Sequence, residues 1–356
     1  AKHVGRPLDV ASHGHLFGVL YGDLGLPMHK DIEKSGKLDK DVLAWMLTLP
    51  KVVDDPKATD LINAVLEWRE RDKLVGTYLL PWVVEHQFEG RLHANLNTTI
   101  AGTRRFTSSA PNLQNVPTRT DLGQLLRTTI IGDDNFVHYS ADYSQIEYRG
   151  FAHNSGEPAL LAGYLKDRNF DIHSLIAAMC GVPRKQGKNL NFGMLYGMGL
   201  DKLARSLLLD KTAAKVILNT YHSKIPSTNR LKTKLKGDIR RLGYVEDHFG
   251  GRRHLTPDED YKALNTLCQM ESADMIRRAI VKIHPIVKAA GGNCQLQIHD
   301  EVMFRLPGDN PEDHRAVLQE VREAMEDVPG YRVPVTTDQE FFINNWSEQA
   351  ALPWAA

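Results

Sequence analysis

Four side chains that could contact a nucleotide recur at every fourth position of one segment: Arg184, Lys188, Phe192 and Tyr196. In an α-helix, positions four apart drift by only about 40° per step, so these side chains would share one face over roughly 18 Å. Cations neutralise phosphate charge, and aromatic rings stack on bases at about 1–3 kcal/mol each. The stripe therefore suits a polyphosphate followed by a base. An amphipathic core helix with cations reaching to solvent would show the same spacing. Gly193 and Gly197 are costly within a helix and indicate a close approach to the backbone.

Two aspartates occupy positions that could bind metal ions. Asp142 ends a segment that alternates as a strand over 136–142, and Asp300 lies at the tip of a hairpin predicted over 294–306. Aspartates at adjoining strand ends can hold two Mg²⁺ ions about 3.5–4 Å apart, which clamp the attacking and leaving oxygens of an in-line displacement. Glu301 could contribute to the field of this site. A single Asp at a strand end is also typical of a turn or a helix cap, and His299 of a turn.

The elements around these residues predict a sheet with helices on one side. Apolar spacing predicts a helix over 57–78 that Pro81 ends, and a second helix over 311–328 with Ala316, Val317, Val321 and Met325 facing inward. A final strand is predicted near 331–337. Most of 143–275 has a helical pattern, so we expect a long helical insertion between the strands of an α+β fold.

Composition excludes several classes of protein. The 356 residues include 44 basic and 44 acidic side chains, and their number indicates two or three domains. Three cysteines without a C-x-x-C pair indicate neither a disulfide framework nor a cysteine zinc site. No apolar run approaches the roughly 18 residues of a membrane span, and the N-terminus has no signal-peptide core, so we expect a soluble intracellular protein. Basic residues crowd 224–241, which is typical of a solvated face or of a nucleic-acid contact.

Three segments, in order, resemble the signature motifs of DNA polymerase family A, the bacterial polymerase I and phage replicative type. Asp142–Arg149 resembles motif A, Arg184–Gly197 motif B and Ile298–Val302 motif C. Shorter matches lie at 103–107, 111–117, 171–173 and 265–269, and the similarity spans about 16–346. The resemblance covers the polymerase domain only. It implies an α+β right hand with an antiparallel palm sheet, helical fingers and a truncated helical thumb: residues 1–90 as a partial thumb, 91–150 and 265–356 as palm, and 151–264 as fingers.

The resemblance also implies roles for the site residues. Asp142, Asp300 and the backbone of Tyr143 would bind two Mg²⁺ ions, for which Mn²⁺ can substitute, with Glu301 beside them in the catalytic set. Lys188 would protonate the leaving pyrophosphate. The residues implied to bind the nucleotide are Arg184, Lys188, His173, Phe192, Tyr196, Glu147 and Gln145. Among them Glu147 would crowd a ribose 2′-hydroxyl and so favour deoxynucleotides.

DNA contacts follow from the same resemblance. Those implied are Arg105, Asn112, Gln114, Asn265, Gln269, Lys73, His299 and Arg252. Arg105, Asn265 and Gln269 would read the minor groove, where every base pair presents acceptors. Arg104 stands where the family usually has Gly, which leaves open whether Arg104 or Arg105 makes this contact. Tyr261 stands where bacterial members carry another arginine.

The implied reaction is attack of a primer 3′-oxygen on the α-phosphorus of a nucleotide with release of pyrophosphate. The expected partners are primer–template DNA, dNTPs and either a missing N-terminal polypeptide or a processivity factor, and no membrane. The expected location is the cytoplasm of a bacterial or phage-infected cell, without excluding an organelle. Two alternatives stay open: a single-subunit RNA polymerase-like enzyme, against which Glu147 and the Phe192–Gly193 pair argue, and an inactive primer–template binding fragment.

Overall fold

The chain divides into two compact units in a computed structural model that describes residues 8–28, 37–207 and 209–354. The first unit comprises Ala1–His93 and Arg119–Leu126, and the second comprises Ala94–Thr118 and Arg127–Ala356. No helix in these three described ranges is long and apolar enough to cross a bilayer.

The first unit is built from short helices around one apolar core. Its described helices are α1 (His13–Phe17), α2 (Lys40–Met46), α3 (Pro50–Val53), α4 (Pro56–Leu74) and α5 (Leu80–Val84). A short hairpin, β1 (Gln87–Phe88) with β2 (Arg91–Leu92), follows. Helix α4 starts because the Asp55 carboxylate accepts a hydrogen bond from the Lys57 N–H at 2.9 Å, and it buries Leu61, Ile62 and Val65.

The predicted end of this helical run at Pro81 is wrong. The chain continues from α4 through a π-helical turn (Val75–Leu79) into α5, and Pro81 lies in the first turn of α5. A missing N–H costs little in a first turn, whereas it would interrupt a helix interior.

The second unit contains a five-stranded antiparallel sheet that positions the candidate site. Its strands are β5 (Phe136–Tyr143), β8 (Asn293–Ile298), β9 (Glu301–Pro307), β10 (Thr337–Phe342) and β11 (Ala350–Ala351), in the order β11-β10-β5-β9-β8. Their alternating apolar side chains pack against two helices, α14 (Ala263–Ala289) and α15 (Arg315–Glu326). Val137 and Tyr139 of β5 meet Ile276 and Ile283 of α14 in this core.

Between β5 and β8 the chain forms the predicted helical insertion around a second core. Its helices are α7 (Ile146–Ser155), α8 (Pro158–Lys166), α9 (Ile172–Cys180), α10 (Arg184–Leu195), α11 (Leu200–Leu207), α12 (Lys211–Lys224) and α13 (Ser227–Leu242). Helix α6 (Asp121–Arg127) precedes β5, and its residues 121–126 belong to the first unit. A hairpin of β6 (Tyr244–Glu246) and β7 (Arg252–His254) precedes α14, and β3 (Asn95–Asn97) pairs with β4 (Thr107–Ser109). The α+β prediction is confirmed, while the thumb, palm and fingers boundaries stay predictions.

Two local predictions near the C-terminus need correction. The last long strand is Thr337–Phe342 rather than 331–337. Pro334 cannot donate to a strand ladder, so pairing with β5 begins only after it. In α15 the inward positions are Leu318, Val321 and Met325, whereas Ala316 is exposed.

Candidate active site

Asp142 and Asp300 meet at one end of the palm-like sheet. Asp142 is next to last in β5 and lies opposite Glu301, the first residue of β9. The Tyr143 N–H donates to the Asp300 carbonyl at 3.1 Å. His299 turns the hairpin with a left-handed φ of 52°. Antiparallel pairing of β5 with β9 therefore brings the two aspartates together.

The carboxylates at this sheet end repel one another. The pKa of Asp142 is raised to about 8, first because the protein encloses much of the carboxyl and then because of Glu301, Asp300, Asp338 and Glu340. One side of Asp142 remains open to solvent. Burial raises the pKa of Asp300 to about 6, with Arg105 opposing and Glu147 adding to the rise. Burial also raises the pKa of Glu301, which accepts a hydrogen bond from Gln349 at 3.3 Å.

This excess of negative charge fits a divalent cation, because a cation would stabilise the ionised form of every carboxylate present. In the described ranges no three His, Cys, Asp or Glu side chains form a ready metal cage. Magnesium needs no such cage, since it keeps several water ligands and takes one or two carboxylates.

The predicted stripe lies on α10. Arg184 and Lys188 are exposed, Phe192 is half-buried, and Tyr196 follows directly as the C-cap residue. The Lys188 ammonium is 5.8 Å from the centroid of the Phe192 ring, and the Phe192 and Tyr196 rings stack with centroids 5.7 Å apart. Two cations followed by two stacked rings are therefore presented along one side of the helix.

Protein packing and backbone conformation explain why Gly193 and Gly197 are glycines. A Cβ on Gly193 would lie 3.4 Å from side-chain atoms of Leu203 and Met198, so the close neighbour there is the protein itself. Gly197 has a left-handed φ of 64°, which glycine adopts without strain.

Asp171 and His173 support the N-terminal half of the stripe. The Asp171 carboxylate caps α9, accepting from the His173 N–H at 2.9 Å, and binds Arg184 Nε at 2.6 Å. Partial burial would raise the pKa of Asp171, but hydrogen bonds from Arg184 and Ser174 outweigh it and lower the pKa to about 2. The buried His173 ring nitrogen Nδ1 lies 3.0 Å from Asn191 Nδ2, and burial lowers its pKa. Asn191 carries no signal in the sequence.

Glu147 connects motif A to motif B. It lies buried in the first turn of α7, is ion-paired with Arg105, and accepts a hydrogen bond from the Tyr196 hydroxyl at 2.8 Å. Gln269 of α14 also hydrogen-bonds Tyr196. Four predicted residues thus form one cluster. Gln145, in contrast, donates to the Phe170 carbonyl at 3.3 Å and packs away from them.

The remaining predicted DNA-contact residues are dispersed. Asn265 is half-buried on α14, and its Oδ1 has no hydrogen-bond partner. Gln114 donates to Gln297 Oε1 at 2.9 Å on β8, and Asn112 accepts from the Gln114 N–H at 3.0 Å. Arg252, on β7, is ion-paired with Glu246 at 2.5 Å. Lys73 is exposed on α4 in the first unit.

Arg149, the last residue of motif A, has a structural importance that its sequence position did not reveal. Its side chain is fully buried, and Nε donates to the Ser144 carbonyl at 2.8 Å. Its terminal nitrogens donate to the carbonyls of Pro334 and Arg168 and to the Thr336 hydroxyl. This one guanidinium joins the turn after β5 to two distant loops.

Comparison with known proteins decides the family. A sequence profile for DNA polymerase family A matches residues 1–348. The chain belongs to DNA polymerase family A. It is 35% identical to the thermostable DNA polymerase I of Thermus aquaticus, covering 94% of this chain and 41% of that protein, and 33% identical to DNA polymerase I of Deinococcus radiodurans, covering 95% and 36%.

A solved structure of another family A member has the same fold. It is the POL domain of Pol1 from M. smegmatis in complex with DNA primer-template and dNTP, with a TM-score of 0.84 and 26% identity over 97% of this chain and 62% of that one. This chain spans about two fifths of the length of the curated relatives named above.

Proposed function

We propose that this family A chain is a template-directed DNA polymerase that adds deoxynucleotides to a primer 3′-hydroxyl and releases pyrophosphate. The observation that carries this is the meeting of Asp142 and Asp300 at the end of β5 and β9, beside Glu147 and the Arg105 pair. The names of the relatives and the DNA and dNTP bound to the M. smegmatis Pol1 domain support it.

The metal site proposed here uses Asp142, Asp300 and the backbone carbonyl of Tyr143, with Glu301 adjacent. Two Mg²⁺ ions held by these residues, or Mn²⁺ in their place, would supply Lewis-acid chemistry and would neutralise phosphate charge. The protein contributes a rigid strand pair, β5 and β9, that fixes the two carboxylates before substrate arrives.

The nucleotide site lies along α10. Arg184, Lys188 and His173 hold the triphosphate, and Lys188 donates a proton to the leaving pyrophosphate. Phe192 and Tyr196 offer ring faces to the base and the template position, and Gln145, which packs against Phe170, is a further proposed nucleotide-binding residue. A buried Glu147, held from both sides, leaves no room for a 2′-hydroxyl, so ribonucleotides are excluded.

The proposed DNA-contact residues form two groups, those that contact base edges and those that contact the rest of the duplex. Arg105, Asn265 and Gln269 face the minor groove of the nascent pair, where their N–H groups donate to the acceptors that every base pair presents. Contacts to the duplex are assigned to Asn112, Gln114, His299, Arg252 and Lys73. The proposed subdomains are a thumb (1–90), a palm (91–150 and 265–356) and fingers (151–264). The proposed location is the cytoplasm of a bacterial or phage-infected cell. The proposed protein partner is an N-terminal polypeptide or a processivity factor.

Primer extension tests the proposal. The chain should extend a labelled primer with dNTPs and Mg²⁺, Asp142→Asn should abolish extension while DNA binding persists, and Asp309→Asn, an exposed loop carboxylate, should change nothing. Preferred use of rNTPs would favour the RNA polymerase alternative. Binding of primer–template without extension, with Mg²⁺ present, would favour the inactive fragment.

A further inference from the structure

Arg104 and Arg105 are neighbours in sequence, yet their side chains pair with different acids. Arg105 pairs with Glu147 of the candidate site, whereas Arg104 Nη2 lies 3.2 Å from Asp274 Oδ2 on α14. Arg104 has a left-handed φ of 62°, which is unfavourable for a residue with a Cβ. Glycine would adopt this backbone more easily, so the arginine side chain must contribute something that offsets the strain.

Two buried aspartates face the Arg104 guanidinium. Asp274 and Asp247 are both buried, and Asp247 uses only Oδ1, which accepts the N–H groups of Phe249 at 2.9 Å and Gly251 at 2.8 Å. Its Oδ2 has no hydrogen-bond partner. A Cβ on Gly251 would lie 2.3 Å from Arg104 Nη1, 2.4 Å from Asp274 Oδ2 and 2.7 Å from Asp247 Oδ2. The guanidinium and both carboxyl groups therefore converge over Gly251, which has no Cβ to crowd them.

Arg277 fixes the backbone of the same loop. Its Nη2 donates to the carbonyls of both Thr98 and Arg104, and its Nη1 lies 3.8 Å from Asp274 Oδ1. The segment that carries Arg105 is thus attached to α14 through one side chain and two carbonyls. Charge-assisted hydrogen bonds are stronger than neutral ones, so several of them together restrict the geometry of this loop.

We propose that Arg104 is a positioning residue for sugar selection. Its ion pair with Asp274 fixes the 98–105 loop so that Arg105 holds Glu147 where it excludes the ribose 2′-hydroxyl. The inference rests on the proposed polymerase function, because it assigns a residue to the specificity of that site. It also resolves the ambiguity between the two arginines: Arg105 faces the site and Arg104 supports it from behind.

The test measures the ratio of ribonucleotide to deoxyribonucleotide incorporation. Arg104→Gly should raise this ratio roughly tenfold, the change that follows from weakening one charge-assisted hydrogen bond, while the circular dichroism spectrum stays that of wild type. Asp274→Asn should act in the same direction, and Arg104→Lys should restore most of the discrimination. Lys288→Gln, which removes an exposed charge near the C-terminal end of the same helix, should leave the ratio unchanged.

A double variant separates positioning from a general loss of structure. If Arg104 acts through Glu147, adding Arg104→Gly to Glu147→Ala should not raise the ratio further; an additive rise, or an unchanged ratio in Arg104→Gly alone, overturns the proposal. If wild type extends no primer, the polymerase proposal fails separately. In that case the unfolding midpoints of Arg104→Gly, Glu147→Ala and the double variant test the positioning role. Non-additive shifts support the Arg104–Glu147 linkage, and additive shifts refute it.

Discussion

Arg149 offers the clearest quantitative prediction. Its guanidinium is 0% exposed and donates to the carbonyls of Ser144, Pro334 and Arg168 and to the hydroxyl of Thr336. Arg149→Met keeps an unbranched chain of similar reach but removes every one of these donors. These hydrogen bonds are part-buried or buried, and water cannot replace the guanidinium fully without opening the packing around the turn after β5.

The expected cost follows from these contacts. A buried acceptor that loses its donor costs about 1–3 kcal/mol, and breaking a buried charged network from one side costs about 3–5 kcal/mol in total. Some of the cost is recovered because the buried charge itself disappears. We therefore expect Arg149→Met to lower the free energy of unfolding by about 3–5 kcal/mol.

Urea unfolding followed by circular dichroism and tryptophan fluorescence measures this difference. Arg168→Met is the matched control, because that side chain is 61% exposed and its surface ion pair with Glu326 should be worth at most about 1 kcal/mol. A loss below about 1 kcal/mol for Arg149→Met would refute the reasoning, since the acceptors would then be satisfied without the arginine.

Three further predictions concern α10 and its neighbours. Gly187→Ala should destabilise by about 1–3 kcal/mol, because its Cβ would lie 2.7 Å from a backbone carbonyl of α9, whereas Gly237→Ala, in open space on α13, should stabilise by up to about 1 kcal/mol. Hydrogen bonds to the Asp171 carboxylate outweigh its partial burial and lower its pKa to about 2. The stability that wild type has over Asp171→Asn should therefore be complete above about pH 4 and decline as the pH falls towards 2. Lys188→Ala should reduce kcat for extension roughly 100-fold without weakening DNA binding.

Each of these has a direct check. Calorimetry compares the two glycine variants, and equal Tm shifts of the same sign would contradict the packing difference. Urea titrations at several pH values follow the aspartate, and a difference that grows on acidification would reverse its assigned sign. Lys185→Ala, which removes an exposed cation elsewhere on α10, is the control for Lys188, and equal losses in both variants would remove the specific role.

The elements nearest the chemistry were predictable because their patterns are local. Alternation found β5 and the β8–β9 hairpin, and fourfold spacing found α10. The end of the helix predicted over 57–78 was misplaced because Pro81 indicates a helix end when only the sequence is known. The sequence does not show that Pro81 lies in the first turn of a new helix, where proline is tolerated. The strand expected at 331–337 shifted because the partner strand, β5, sets its register.

The contacts that hold the site together could not be read from spacing. Arg104 with Asp274, and Asn191 with His173, join residues through the packing of separate elements, and no periodicity records it. Arg149 was visible as part of a motif, but its burial depends on loops nearly 20 and 190 positions away. Sequence patterns predict which groups react, and three-dimensional packing determines what supports those groups.

The strand order has a consequence for how this end of the sheet forms during synthesis. Both neighbours of β5, the strands β9 and β10, are made more than 150 residues after it. At roughly 5–20 residues per second, β5 spends on the order of 10–30 s with both of its hydrogen-bonding edges unpaired. A chain that ends before residue 301 therefore has helices that can pack but lacks both strands that fix Asp142.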